Sequence, residues 1–171
     1  AETGDSSGLV VVAPPMVPGG KFRVLERHQF RGMDFAAQAE AIRLVTQRYW
    51  VTYIGIDTTG MGSGVAQLVR QFFPGLTTFS YSPEVKSRLV MKAYDVINKG
   101  RLEFDAGWTD FAQSLMAIRK TITASGRQFT YTAGRSESTG HADLAWALFH
   151  ALHHEPLEGQ TAANTGRMEL F

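Results

Sequence analysis

An apolar strand that ends abruptly in an acid limits the fold of this chain more than any other segment. Residues Val51 to Ile56 are rich in β-branched and aromatic side chains, and Asp57 follows them directly. The next seven residues include Gly60, Gly62 and Gly64, and an apolar helical pattern follows. A strand, a flexible turn and a helix in this order predict an α/β domain. Asp57 is then expected at the carboxyl edge of a sheet, where such folds bind ligands.

The rest of the chain repeats the alternation of strand and helix patterns. We predict strands over residues 9–13, 21–30, 51–56, 76–81 and 128–132, the first two forming a hairpin. Helices are predicted over residues 35–49, 65–72, 108–120 and 142–153, and from Pro83 to a stop at Gly100. Asp34 and Ser82 are predicted helix caps. A hairpin followed by alternating elements predicts a mixed sheet with helices on its faces.

Composition bounds the function only loosely. A length of 171 residues suits one domain, and the formal net charge of +1 neither requires nor excludes nucleic acid. The chain has no cysteine, so any metal must be held by oxygen or imidazole ligands. No apolar run approaches the roughly 20 residues that span a bilayer, and no export leader is recognisable. We therefore expect no membrane partner and no export.

Three aspartates are candidates for chemistry, and each has a structural alternative. Asp57 is placed for a ligand site but also suits an Asx-turn or a helix cap. Asp143 opens the last predicted helix, where an acid complements the helix dipole without any further role. Asp5 precedes the first strand and suits a turn equally well. Asp57 and Asp143 are stronger candidates as a pair, because two acids at the ends of separate elements can converge on one metal site.

The glycine-rich turn after Asp57 does not match a nucleotide-binding motif. A Walker loop requires lysine and then serine or threonine after its last glycine, whereas Val65 and Ala66 stand there. The spacing G-x-G-x-G also departs from the dinucleotide fingerprint. We interpret Gly60, Gly62 and Ser63 as allowing the backbone a close approach, with a DNA phosphate as the candidate partner.

Basic residues recur along the helical half of the chain. Some of them could follow a phosphate backbone, although scattered lysines on helices are more often solvated. The candidates for DNA contact are Lys86, Arg88, Arg135 and His141. Glu137 and Arg135 also flank the loop before Asp143. His150, His153 and His154 could suggest a metal, but the pattern favours a solvent-facing helix end.

Three segments carry a resemblance to a known family. Residues 53–65 read YIGIDTTGMGSGV, residues 140–147 read GHADLAWA, and residues 1–10 read AETGDSSGLV. In this order they resemble the nuclease domains of tailed-phage terminase large subunits, particularly those of temperate cohesive-end phages. The likeness runs from Ala1 to about His153 and includes the succession of elements between the motifs.

The resemblance implies an RNase H-like fold, a mixed β-sheet flanked by helices on both faces. It implies three acids that bind two divalent ions, Mg²⁺ or Mn²⁺, and it assigns that role to Asp57, Asp143 and Asp5. Family members carry an Asp-Pro pair just before the segment that opens this chain, so we expect the first strand to be truncated. We expect the nuclease domain over residues 1–155 and a polar tail over residues 156–171.

The implied function is an endonuclease that cuts concatemeric phage DNA by two-metal hydrolysis to generate genome ends. The implied partners are double-stranded DNA, an N-terminal terminase ATPase domain, the small terminase subunit and the portal, in the host cytoplasm during phage assembly. No Walker lysine is present, so no ATPase activity is expected. Three alternatives stay open: another RNase H-like enzyme such as a resolvase or integrase, a non-catalytic DNA-binding or docking module, and a nucleotide-binding α/β domain.

Overall fold

A computed structural model describes residues 6–60, 62–133 and 142–154. The helices and strands alternate along most of this length, as the sequence predicts. In chain order they are β1 (Ser6–Ala13), β2 (Phe22–Arg31), α1 (Phe35–Arg48), β3 (Gly55–Asp57), α2 (Gly62–Val69), β4 (Thr77–Phe79), α3 (Pro83–Asn98), β5 (Leu102–Glu103), α4 (Thr109–Met116), β6 (Ile118–Ile122), β7 (Phe129–Ala133) and α5 (Ala142–His153). Among these helices none is long and apolar enough to cross a bilayer.

The first two strands form the predicted hairpin and begin a mixed sheet. β1 and β2 pair antiparallel from Ser6 opposite Arg31 to Ala13 opposite Arg23, with one irregularity in register between Val11 and Val12. β5, which the sequence analysis did not predict, then adds to β2 in parallel, giving the order β1-β2-β5. Antiparallel and parallel pairing within one sheet confirm the predicted mixed architecture.

A second pair of strands positions the acid that follows the apolar run. β3 and β4 pair in parallel, with Asp57 opposite Phe79. The regular strand is only three residues long, shorter than the predicted span of residues 51–56, and Asp57 is its last residue. Because parallel strands end at the same edge, the segment after β4 lies next to Asp57.

Alternate side chains of β1, and of the segment that leads into β3, belong to two different apolar clusters. Val10 and Val12 pack into a cluster with α3, α4 and α5, whereas Leu9 packs with α1 and α2. Tyr53 likewise joins the α5 side, and Ile54 and Ile56 join the α1 and α2 side. Successive side chains of extended backbone point to opposite faces, so helices cover both faces. The same alternation places Asp57 on the face that α5 covers.

Local capping chemistry accounts for the starts of two helices. The Asp34 carboxylate accepts a hydrogen bond from the Ala37 amide at 2.7 Å and caps α1. Ser82 accepts from the Val85 amide at 3.2 Å and caps α3, with Pro83 in the first turn. Each bond satisfies a backbone donor that lacks a partner inside the helix. Both caps were predicted from the sequence, and both predictions are confirmed.

One predicted helix is too long. The apolar spacing predicted a helix over residues 108–120, but α4 ends at Met116 and residues 118–122 form β6. Ile118 lies opposite Ala133 and Ile122 opposite Phe129, so a neighbouring strand satisfies this backbone. The β-branched residues Thr121, Ile122 and Thr123 also favour extended structure. The predicted strand over residues 128–132 is confirmed as β7.

α5 is held at its start by a residue from another helix. Ser114, in α4, is fully buried, and its hydroxyl accepts a hydrogen bond from the Ala145 amide at 2.8 Å. The amide belongs to the first turn of α5, so the bond ties the start of that helix to α4. The contact fixes the end of α5 that carries Asp143 relative to α4.

Candidate functional site

One cleft collects residues from both predicted acid-bearing segments. It has a volume of about 760 Å³, and its walls come from β1, α1, β3, the segment after β4, and α5. Asp57, Tyr81, Asp143 and His150 all line it. Another cavity of about 530 Å³ lies beside β2 and β5 and is lined by neither acid. The first cleft is therefore the candidate functional site.

Asp57 enters the cleft and also makes the turn contact that the sequence allowed. Its Oδ1 atom accepts a hydrogen bond from the Thr59 amide at 2.8 Å, which is an Asx-turn. The turn is anchored further because the Tyr81 amide donates to the Thr59 hydroxyl at 2.8 Å. The two interpretations of Asp57 are thus compatible, since the turn orients a carboxylate that borders the cleft.

Asp143 lies in the first turn of α5 and contacts the opening of β1. The Ser6 hydroxyl donates a hydrogen bond to its Oδ2 atom at 2.5 Å. Two residues further on, a Cβ atom at Gly8 would lie 2.7 Å from the Asp143 carbonyl carbon and oxygen. A glycine there lets the strand approach the helix backbone closely. β1 therefore fixes both the backbone and the carboxylate of Asp143.

Tyr81 lies in the electrostatic field of both acids. Burial raises the pKa of its phenol well above the usual range, and the charges of Asp57 and Asp143 raise it further. A negative charge disfavours ionisation of a neighbouring phenol, and the effect weakens with distance. Both carboxylates thus act on one hydroxyl, as expected of acids that converge on one cleft.

The donor chemistry of this cleft suits a hard divalent cation, although the described ligand set is small. Asp57 and Asp143 offer carboxylate oxygens, which Mg²⁺ and Mn²⁺ prefer. Across residues 6–60, 62–133 and 142–154, no group of three or more His, Cys, Asp or Glu side chains is arranged to hold a metal ion. The third predicted ligand, Asp5, lies outside the described residues, as do Arg135 and His141.

The glycines after Asp57 either make close contacts with other protein atoms or adopt a backbone conformation that favours glycine. A Cβ atom at Gly62 would lie 1.8 Å from the Asp57 carbonyl oxygen, and one at Gly64 would lie 2.5 Å from the Phe35 ring. Gly60 has a φ of 78°, a conformation that favours glycine. At positions 62 and 64, the atoms that approach the turn closely therefore belong to the protein itself. Ser63 is exposed, and its hydroxyl donates to the Gly60 carbonyl at 3.3 Å.

Of the two described cationic candidates, one lies beside the cleft. The Lys86 ammonium is 5.5 Å from the centre of the Tyr81 ring and 5.9 Å from that of Trp146. Tyr81 and Trp146 both line the cleft. Arg88 is exposed, and its charge acts on His153 near the end of α5. Lys86 is thus the better placed of the two to meet a ligand of the cleft.

His150 was predicted to face solvent, and that prediction is wrong. Its side chain is about 5% exposed, lies parallel to the Phe79 ring with centroids 4.6 Å apart, and has Nε2 2.7 Å from the Tyr81 hydroxyl. His153 is half-buried, and only His154 of the three is exposed. The spacing of seven residues from Asp143 could have indicated this, because it repeats one helix face. Nothing in the sequence indicated Tyr81 as the partner.

Acid should destabilise the protein through His150. Burial chiefly lowers its pKa from 6.5 to about 3, and His153 adds a smaller effect. Between these values the unfolded chain binds a proton that the folded protein excludes. Stability from this group is therefore complete above about pH 6.5 and is lost as the pH falls toward 3. We expect His150→Gln to flatten the dependence of unfolding free energy on pH in this window, by up to about 1.4 kcal/mol per pH unit.

Urea unfolding at a series of pH values measures this slope. Gln67→Ala is the control, because it removes an exposed side chain on α2 that carries no ionisable group, and it should leave the slope of the parent protein unchanged. Parallel curves for the parent and His150→Gln would mean that His150 does not titrate differently on folding.

Comparison with known proteins agrees with the geometry of this domain. The sequence model of the family described as "Terminase RNaseH-like domain" matches residues 1–155. The chain is 62% identical over 154 residues to "Terminase, ATPase subunit" of Escherichia phage P2, covering 90% of this chain and 26% of that protein. It is 39% identical over 158 residues to "Probable terminase, ATPase subunit" of Haemophilus phage HP1, covering 92% and 26%. The chain thus spans about a quarter of the length of these relatives.

Solved structures show the same fold at low sequence identity. The large terminase nuclease of thermophilic phage G20c with bound cobalt superimposes with a TM-score of 0.65 at 18% identity, covering 85% of this chain and 80% of that one. The magnesium-bound form gives 0.60 at 21% identity, covering 84% and 80%. The large terminase nuclease domain of Thermus phage P74-26 gives 0.51 at 18% identity, covering 84% and 78%.

Proposed function

The chain belongs to the terminase RNaseH-like domain family, and on this premise we propose that it is a metal-dependent DNA endonuclease of a viral packaging machine. The observation that carries the proposal is the cleft that Asp57 and Asp143 line together. The RNase H-like fold supports it, as do the cobalt and magnesium bound to structures of similar fold. The proposed reaction is cleavage of concatemeric phage DNA to generate genome ends.

Asp57 and Asp143 are the proposed metal ligands, with Asp5 as the third. Their described contacts already orient them: the Thr59 amide engages one oxygen of Asp57, and the Ser6 hydroxyl engages one oxygen of Asp143. Carboxylate oxygens of this kind suit Mg²⁺ or Mn²⁺ as ligands. When bound, two such ions activate the attacking water and stabilise the leaving oxygen of a phosphodiester.

The protein's own contribution beyond these ligands is to bind and align DNA. Lys86 lies against the aromatic wall of the cleft, where a phosphate backbone entering the cleft would meet its charge. We propose the same role for the other candidates, of which the two glycines can offer only backbone groups. Those candidates are Arg88, Arg135, His141, Gly60, Gly62 and Ser63.

The proposed partners follow from the relatives. Both relatives are named as terminase ATPase subunits, and the chain matches about a quarter of their length. We propose that this domain works together with an ATPase domain, the small terminase subunit and the portal on double-stranded DNA. Assembly of phage particles in the host cytoplasm is the setting that this role implies.

Plasmid cleavage in the presence and absence of divalent metal tests the proposal. We expect supercoiled DNA to be nicked or linearised with Mg²⁺ or Mn²⁺, and cleavage to stop completely when EDTA removes the metal. A second preparation extends the chain with flanking sequence of the phage P2 relative, so that any contribution from outside these 171 residues is measured as well. DNA binding without cleavage in both preparations would contradict the endonuclease and favour a docking module.

A further inference from the structure

A phenol and an imidazole form a hydrogen-bonded pair in the wall of the cleft. The Tyr81 hydroxyl oxygen lies 2.7 Å from Nε2 of His150. The His150 ring stacks on Phe79 and the Tyr81 ring packs against Trp146, with centroids 4.6 and 5.2 Å apart. Both members of the pair line the cleft between the elements that carry Asp57 and Asp143. The pair is thus held rigidly at the place where a substrate would bind.

Packing alone does not require these two polar groups. A phenylalanine and an aliphatic residue would fill similar space, without needing a buried hydrogen bond to offset the loss of hydration. His150 occurs on the face of α5 that also presents Asp143, seven residues earlier, and Trp146. The imidazole thus lies behind the aromatic wall and on the same helix face as a candidate metal ligand. This position indicates that it has a role in binding at the cleft.

The number of hydrogens on the two groups limits the direction of their hydrogen bond. His150 is neutral because burial disfavours its charged form, so it carries a single N–H group. The Tyr81 hydroxyl also carries a single hydrogen, and Tyr81 lines the cleft. When that hydrogen is donated to a ligand in the cleft, the bond at 2.7 Å runs from the imidazole N–H to the phenol oxygen.

We propose that His150, as the Nε2–H tautomer, holds the phenol oxygen of Tyr81 so that its O–H donates to a non-bridging phosphate oxygen of the bound DNA strand. The inference rests on the proposed nuclease function, because it names the group that Tyr81 contacts. With the carboxylates engaged by cations, a phosphate oxygen is the acceptor that a substrate brings to this wall. Tyr81 is then a substrate-contacting residue, and His150 is a positioning residue that acts through it.

Nitrogen NMR of the ¹⁵N-labelled 171-residue chain tests the direction of the bond without any reaction. A protonated and a bare ring nitrogen of neutral histidine have widely separated chemical shifts. We expect the His150 signals to show a protonated Nε2 and a bare Nδ1 at neutral pH, with assignment from His150→Gln. A protonated Nδ1 would overturn the proposal, because the phenol would then donate inward and have no hydrogen for the cleft.

Kinetics of DNA cleavage test the contact with phosphate. Tyr81→Phe keeps the ring against Trp146 and Lys86 but removes the donor, so we expect kcat/KM to fall about 10- to 100-fold. His150→Leu should cause a similar loss, and adding it to Tyr81→Phe should cause little more, because the two side chains act as a unit. His150→Gln places an amide donor near the original Nε2 position and should recover part of the activity that His150→Leu loses.

Tyr94→Phe is the matched control, since Tyr94 is exposed on α3 and does not line the cleft. It should cleave at the parent rate, and thermal unfolding of each variant verifies that it is folded. Equal kcat/KM for Tyr81→Phe and the parent would overturn the proposal. If neither the parent nor the longer preparation cleaves DNA, the nuclease proposal fails separately. The contact is then judged by duplex affinity, which should fall about 10- to 100-fold in Tyr81→Phe and be unchanged if the inference is wrong.

Discussion

Asp57→Asn and Asp143→Asn are each expected to lower metal-dependent cleavage of plasmid DNA by about 1000-fold or more. A carboxylate that holds a divalent cation contributes several kcal/mol to the stabilisation of developing charge, and each 1.36 kcal/mol changes the rate tenfold. Asparagine keeps the acceptor that Thr59 or Ser6 uses, so the local hydrogen bonds survive the substitution. The loss is thus expected without unfolding, which circular dichroism and thermal melting would verify.

Asp105→Asn is the matched control for Asp57→Asn. Asp105 makes the same kind of turn, accepting from the Gly107 amide at 2.7 Å, but it lies outside the cleft that holds Asp57. The Asp105→Asn variant should cleave plasmid DNA at the rate of the parent protein. Retained activity in Asp143→Asn together with loss in Asp57→Asn would reduce Asp143 to an acid that only complements the dipole of α5. Retained activity in both variants would remove the basis for a carboxylate-held metal at this cleft.

Gly62→Ala is expected to lower the free energy of unfolding by about 3 kcal/mol and to impair cleavage as well. The new Cβ atom would lie 1.8 Å from the Asp57 carbonyl oxygen and 3.0 Å from its carbon. Backbone atoms cannot rotate aside, so either the start of α2 or the end of β3 must move, and overpacking of this kind costs about 1–3 kcal/mol or more. Movement of β3 would displace the Asp57 carboxylate from the cleft.

Urea denaturation and plasmid cleavage measure the two effects of Gly62→Ala. Gly75→Ala is the control, because a Cβ atom there would meet nothing within 4 Å and its φ is not in the left-handed region. Its unfolding free energy should stay within about 1 kcal/mol of the parent value. If Gly62→Ala is as stable as Gly75→Ala, the close contact between α2 and Asp57 is not a constraint on this fold.

The sequence by itself determined those features whose causes are local. Ser82 and Asp34 cap helices because a side-chain oxygen within three residues satisfies a free backbone amide. α5 spans 142–153 as predicted, because its apolar residues repeat with the helical period. Asp57 ends a strand because a β-branched run stops there. These elements, together with three motifs in order, were also sufficient to recognise the family.

Only the tertiary structure decided which of these residues share an environment. A helix was predicted as far as residue 120, yet residues 118–122 form β6 because the following strand, β7, pairs with them. His150 is polar, yet it is buried because Tyr81, 69 residues away, supplies its hydrogen bond. The glycine at position 8 is required because the backbone of Asp143, in α5, lies against it. In each case the contact that decides the outcome comes from a residue in another element. Local sequence propensity takes no account of that residue, and folding brings it near.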